Sequence, residues 1–138
     1  MKHKDFQNFF QGRALQFLVS AIDLALAEDG RDFTSEAVFS EQDAMRAQIR
    51  AKQDAVVAGA QMIPLILERT AAFCGLEKSW SLHIRVKDGE RVAPGNVVAL
   101  IEGSALLILK AERIILNFLT HLSGVATLAN QYARALEG

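Results

Sequence analysis

Apolar residues recur at steps of three and four near the end of the chain, where Ile115, Phe118, Leu119, Leu122, Ala126, Ala129, Ala133 and Leu136 follow one another. This spacing puts them on one face and predicts an α-helix over residues 111–136 with a core-facing stripe. The opposite face reads Arg113, Asn117, Thr120, Gly124, Thr127 and Gln131, a neutral polar strip opened by a single charge and suited to an anion. Gly124 is out of place there, because a glycine inside a helix costs about 1 kcal/mol relative to alanine. Either the helix breaks at Gly124 or another backbone approaches it closely.

The same period in Leu15, Leu18, Val19, Ile22 and Leu26 predicts a core helix over residues 13–27. Residues 5–12 form a short amphipathic turn before it, with Phe6, Phe9 and Phe10 on one side and Gly12 as the break. Residues 28–36, EDGRDFTSE, are dense in charge, glycine and hydroxyls and read as a loop in which Asp32, Thr34 and Ser35 bond the local backbone. From Ala44 the period drops to two. Met45, Ala47, Ile49 and Ala51 alternate with Arg46, Gln48, Arg50 and Lys52, the signature of a half-buried strand with a basic, solvated outer face. A short strand over residues 55–58 ends at Gly59. Residues 61–73 then return to helical spacing through Met62, Ile66 and Leu67, with Pro64 in the first turn and Gly75 as the C-cap.

Trp80, Leu82, Ile84 and Val86 alternate as another strand, and Asp88-Gly89 and Pro94-Gly95 supply tight turns. A strand over residues 97–101 follows, Gly103 marks a break, and a last strand over residues 105–109 feeds the terminal helix. The order predicts an α+β sandwich in which helices pack on a mainly antiparallel sheet.

Composition narrows the setting more than the chemistry. A chain of 138 residues suits one domain with its own core. Fifteen basic residues against sixteen acidic ones give a net charge of −1, so no global field draws nucleic acid or an anionic membrane. Cys74 is the single cysteine, which excludes an internal disulfide and fits a reducing, cytoplasmic setting. No apolar run has the length of a membrane span or the form of a signal peptide. The hydrophobic share of 51% is weighted toward the last third of the chain and leaves apolar surface for a partner.

Catalytic motifs are absent: there is no glycine-rich phosphate loop, nucleophile elbow or HExxH pair, and His3, His83 and His121 stand far apart in the sequence. No catalytic residue and no metal ligand is assigned. His121, one turn from Asn117, reads either as an ordinary surface histidine or as a ligand contact. Arg113 differs in kind, because at a strand-to-helix junction a guanidinium can grip a carboxylate through two parallel bonds. Its ordinary alternative is an ion pair with Glu112 or another acid.

Four segments, EDGRDFTSEAV (28–38), AKQDAVVAG (51–59), VKDGERVAPGNVVALIEG (86–103) and AERIILNFLTHLSGVATL (111–128), occur in an order that resembles the N-terminal domain of quinolinate phosphoribosyltransferase, also called nicotinate-nucleotide pyrophosphorylase (carboxylating). The chain departs from the family pattern in a loop about two residues shorter after Glu28. It also departs at Lys110, which stands where a small hydroxyl or glycine commonly precedes the Glu112–Arg113 pair, so that an N-cap is lost. The resemblance implies a sandwich- or hammerhead-like α+β domain over residues 1–110 and a connecting helix over 111–138 leading to an α/β barrel that lies outside this chain. It implies an enzyme of NAD synthesis that joins quinolinate to phosphoribosyl pyrophosphate with loss of carbon dioxide, giving nicotinate mononucleotide and pyrophosphate. Magnesium accompanies the phosphoribosyl pyrophosphate in the barrel. By position, Arg113 binds a quinolinate carboxylate in the site of the neighbouring subunit of a homodimer or higher oligomer, and the fragment by itself is inactive.

Three other readings compete. One is the related molybdenum-operon protein of the same architecture, distinguished by barrel residues. Another is a biotinyl or lipoyl carrier, since residues 86–103 share its turn chemistry, although neither Lys87 nor Lys110 sits at an exposed hairpin tip of the required kind. The third is a non-catalytic assembly domain.

Overall fold

Apolar period and observed element agree over most of the chain in a computed structural model that describes residues 6–137. His3, Asp5 and Gly138 lie outside the described residues. The elements run α1 (Phe6–Phe9), α2 (Gly12–Asp29), α3 (Phe33–Val38), β1 (Ala44–Arg50), β2 (Ala55–Val56), a 3-10 turn (Ala60–Met62), α4 (Ile63–Cys74), β3 (Trp80–Ile84), β4 (Arg91–Val92), β5 (Val97–Ser104) and α5 (Ala105–Glu137). The fold is α+β, as the order of periods predicts.

An antiparallel sheet of three strands, ordered β1-β5-β3, carries the helices on one face. Pairing of Ala47 and Leu82 with Ile101, and of Ile49 and Ile84 with Ala99, gathers the apolar positions of all three strands on that face. The outer face carries Arg46, which pairs with Glu102 at 2.7 Å, and Arg50, whose guanidinium is occupied by Gln48 and the Gly95 carbonyl. Both are solvated, as the alternation implies. A second sheet, β2-β4, closes a smaller cluster of Val57, Ala60, Val92, Val98 and Leu119.

The main core joins Ile22 and Leu26 of α2, Ile63, Ile66 and Leu67 of α4, Ala99 and Ile101 of β5, and Leu107, Ile108, Ala111, Ile114 and Ile115 of α5. Burying each large aliphatic side chain stabilises by about 1.5–3 kcal/mol, so this cluster is the main support of the fold. Asp23 and Arg69 tie α2 to α4 through two bonds of 2.7 and 2.8 Å. Pro64 lies in the first turn of α4 and Gly75 caps it at φ 66°, both as expected.

Four expectations are corrected. Residues 105–109 are the first turns of α5, where the sequence suggests a strand, because Leu107, Ile108, Ala111, Ile114 and Ile115 continue the helical stripe into the core. Gly103 is no break. It lies within β5, paired with Met45 and Trp80, and a Cβ there would stand 3.2 Å from the Ser79 carbonyl and the Trp80 side chain. The expected loop 28–36 is largely helical, since α2 runs to Asp29 and α3 starts at Phe33, capped by the Asp32 carboxylate accepting from the Ser35 N–H at 3.1 Å. Finally, β2 stops at Val56, short of the expected residue 58. Beyond it Gly59, at φ 98°, lets the backbone turn where a Cβ would come within 2.9 Å of Leu122 on α5.

Candidate functional site: a shared carboxylate between α2 and α5

Lys110 and Arg113 stand three residues apart on α5, so they share a face. That face meets the C-terminal end of α2. Asp29, the last residue of α2, accepts from Lys110 Nζ on Oδ2 at 2.6 Å and from Arg113 Nη1 on Oδ1 at 2.8 Å. Lys110 also donates to the Gly30 carbonyl, just past the helix end where the backbone dipole favours a cation. Its ammonium lies 5.6 Å from the centre of the Phe73 ring.

Exposure separates the two cations. The Lys110 side chain is 4% exposed and that of Arg113 is 73% exposed. A buried ammonium requires a close counter-charge, and Asp29 supplies it. The hydrogen bond from Lys110 holds the Asp29 carboxyl below its ordinary value of 3.8, with further help from the charges of Lys110 and Arg113 against an opposing effect of burial. Asp29 thus pairs with two cations at once, while Lys110 also feels the nearby Asp32 carboxylate, and of the two cations only the Arg113 guanidinium faces solvent.

These contacts revise two readings of the sequence and meet a third. Arg113 lies two turns inside α5 and not at a strand-to-helix junction, while its expected ion pair with Glu112 or another acid is made with Asp29. Lys110 likewise sits inside the helix, so no N-cap is at stake. Asp29 falls within the family segment 28–38 but nothing in the sequence ties it to Arg113; the signal that could have found the pairing is a pair of cations at helical spacing facing the acidic end of another helix.

Part of the polar face of α5 is engaged elsewhere. Thr127 Oγ1 accepts from the Val56 N–H at 2.9 Å, and Ser123 Oγ accepts from the Ala58 N–H at 3.0 Å, so two hydroxyls one turn apart fasten the edge of β2 to α5. Thr120 donates to the Leu116 carbonyl of its own helix. Gly124 meets neither sequence expectation, since α5 continues through it and nothing lies within 4 Å of where its Cβ would be. It opens instead onto a mostly apolar groove of about 630 Å³ that also borders Leu116, Leu119 and Leu128. His121 is exposed.

Among the described residues no three His, Cys, Asp or Glu side chains gather closely enough to hold a metal ion. No helix among them is long and apolar enough to cross a membrane.

Fold and cluster together define an α+β domain in which a long helix, packed on an antiparallel sheet, carries a solvent-facing arginine. The chain belongs to the quinolinate phosphoribosyltransferase family: residues 32–123 match the domain described as "Quinolinate phosphoribosyl transferase, N-terminal domain", well over half of the sequence. It is 34% identical over 106 residues to a probable nicotinate-nucleotide pyrophosphorylase (carboxylating) of Bacillus subtilis (strain 168), covering 77% of this chain and 34% of that protein. It is 35% identical over 121 residues to the chloroplastic nicotinate-nucleotide pyrophosphorylase (carboxylating) of Arabidopsis thaliana, covering 86% of this chain and 33% of that protein. The crystal structure of NadC from Streptococcus pyogenes superposes with a TM-score of 0.76 at 30% identity, over 88% of this chain and 43% of that one. The chain thus spans about a third of the length of these curated relatives.

Proposed function

We propose that the chain serves as the N-terminal domain of a quinolinate phosphoribosyltransferase, which converts quinolinate and phosphoribosyl pyrophosphate to nicotinate mononucleotide, pyrophosphate and carbon dioxide in NAD synthesis. In that enzyme residues 1–110 form the domain and residues 111–138 the connecting helix, whose first half is already part of the domain core. The match over residues 32–123 carries the reading. Arg113 supports it, as a cation held by one bond to Asp29 and otherwise open to solvent.

Binding a dicarboxylate in an orientation fit for reaction takes several fixed cations, because one exposed arginine binds weakly. Arg113 supplies one of them, to a quinolinate carboxylate in the site of the neighbouring subunit of a cytoplasmic homodimer or higher oligomer. The other cations, and the magnesium that accompanies phosphoribosyl pyrophosphate, belong to the barrel of the longer enzyme. No step of the chemistry runs through this domain alone.

Two assays test the reading. The 138-residue chain alone is expected to form no nicotinate mononucleotide from quinolinate and phosphoribosyl pyrophosphate, and turnover by it would overturn the division of labour. In the longer enzyme Arg113→Ala is expected to raise the KM for quinolinate and lower kcat/KM by about 100-fold or more, as for loss of a charged contact. Unchanged kinetics would remove Arg113 from the site.

A further inference from the structure

Two arginine–aspartate pairs in this molecule face the same chemistry with different outcomes. Arg69 engages both oxygens of Asp23, through Nε and Nη2, in a closed fork that neutralises both charges. Arg113 engages Oδ1 of Asp29 alone, and the buried Lys110 engages Oδ2. The Lys110 ammonium is held in place by the Gly30 carbonyl as well and lies against the Phe73 ring.

We infer that Lys110 and Asp29 are positioning residues that set how strongly Arg113 binds an anion. Lys110 occupies one oxygen of Asp29, so the carboxylate aligns the guanidinium through the other oxygen while its one negative charge is shared between two cations. Without Lys110, Asp29 would be free to fork onto Arg113 as Asp23 does onto Arg69, and an incoming anion would have to displace it. Without Asp29, the guanidinium would keep its charge but lose its alignment. The inference rests on the proposed role of Arg113 for its biological ligand, though the device itself acts on any small anion.

The test uses the 138-residue chain with nitrogen-15 arginine, following the Arg113 side-chain Nε–H resonance by NMR, assigned by its loss in Arg113→Lys. Sulfate is the first probe. In the unsubstituted chain sulfate is expected to shift this resonance saturably, and Lys110→Met is expected to weaken that binding about tenfold while circular dichroism shows the fold retained. Absence of a sulfate response in the unsubstituted chain, or equal affinity in a folded Lys110→Met, overturns the inference. Should Lys110→Met not fold, Asp29→Asn decides. Loss of Arg113 side-chain order with strengthened sulfate binding supports the pair, and unchanged order, or sulfate binding that is unchanged or weakened, overturns it.

Quinolinate as the second probe separates this inference from the proposed function. Lys110-dependent sulfate binding with no quinolinate response at Arg113 would leave the positioning pair standing and count against the substrate role. Quinolinate binding at Arg113 that is indifferent to Lys110→Met would do the reverse.

Discussion

The two halves of α5 share one apolar period and differ in what covers it. In the first half Leu107, Ile114 and Ile115 are at most 2% exposed and stand in the main core with α4 and β5. In the second half Leu128 is 53% exposed, Tyr132 66% and Leu136 89%. The expected core stripe is therefore real only as far as Leu119, with Phe118, Leu122 and Ala126 partly covered and Ala129, Ala133 and Leu136 bare. Amphipathic spacing says which side of a helix is apolar. Whether that side is buried depends on the elements that reach it: the main core with α2, α4 and β5 takes in the first half, and the β2 edge reaches the second half only as far as Thr127.

The sharpest test of that contrast is a pair of truncations. Leu107→Ala should lower stability by about 2–5 kcal/mol, as for a leucine removed from a closed core. Leu128→Ala should change it by less than about 0.5 kcal/mol. Urea midpoints of the two variants would settle the matter, and similar losses would mean that the far half of α5 is covered after all.

Nearly as large an effect is expected at the ionic end of the buried half. Asp29→Asn leaves Lys110 buried without its counter-charge and should cost about 3 kcal/mol. The pH dependence has a defined sign. The folded Asp29 carboxyl titrates below its ordinary 3.8, so the unfolded chain binds the proton more readily. Its stabilising contribution is therefore present above that ordinary value and lost as the pH falls through the lowered one. Thermal melts across the acid range should show this limb in the unsubstituted chain and a flatter one in Asp29→Asn.

A smaller effect of opposite sign is expected where the buried half gives way to the bare one. Gly124→Ala should stabilise the chain by about 1 kcal/mol, since the helix gains a better residue and nothing lies within 4 Å of the added methyl. A lower melting temperature would reveal a close neighbour at that position. Least of all, Leu136→Ser should move the midpoint by under about 0.5 kcal/mol, because the side chain is almost fully exposed.

Much of this was legible in the sequence. The two-residue alternation in Met45, Ala47 and Ile49 and the three-and-four spacing in Ile22 and Leu26 follow from local geometry, so pattern and element agree. The run ALLIL at residues 105–109 is ambiguous in the sequence because a short, unbroken apolar stretch fits a strand or a helix equally well. Gly103 is ambiguous for a related reason: a glycine that marks a turn and a glycine that makes room for a neighbouring strand look alike until the neighbour, Trp80, is in place.

Arg113 was singled out by the family pattern, but its partner was not. Lys110 and Arg113 meet Asp29 across 81 and 84 residues of sequence, and no local period reports on a contact of that range. The sequence by itself determined the periods, the turns, the family segments and the presence of one cation at the head of a neutral helix face. Only the tertiary structure decided that Lys110 is buried, that Asp29 is divided between two cations, and that half of α5 is covered. Burial and charge sharing belong to surfaces brought together from distant parts of the chain, and these exist only once the helices have packed.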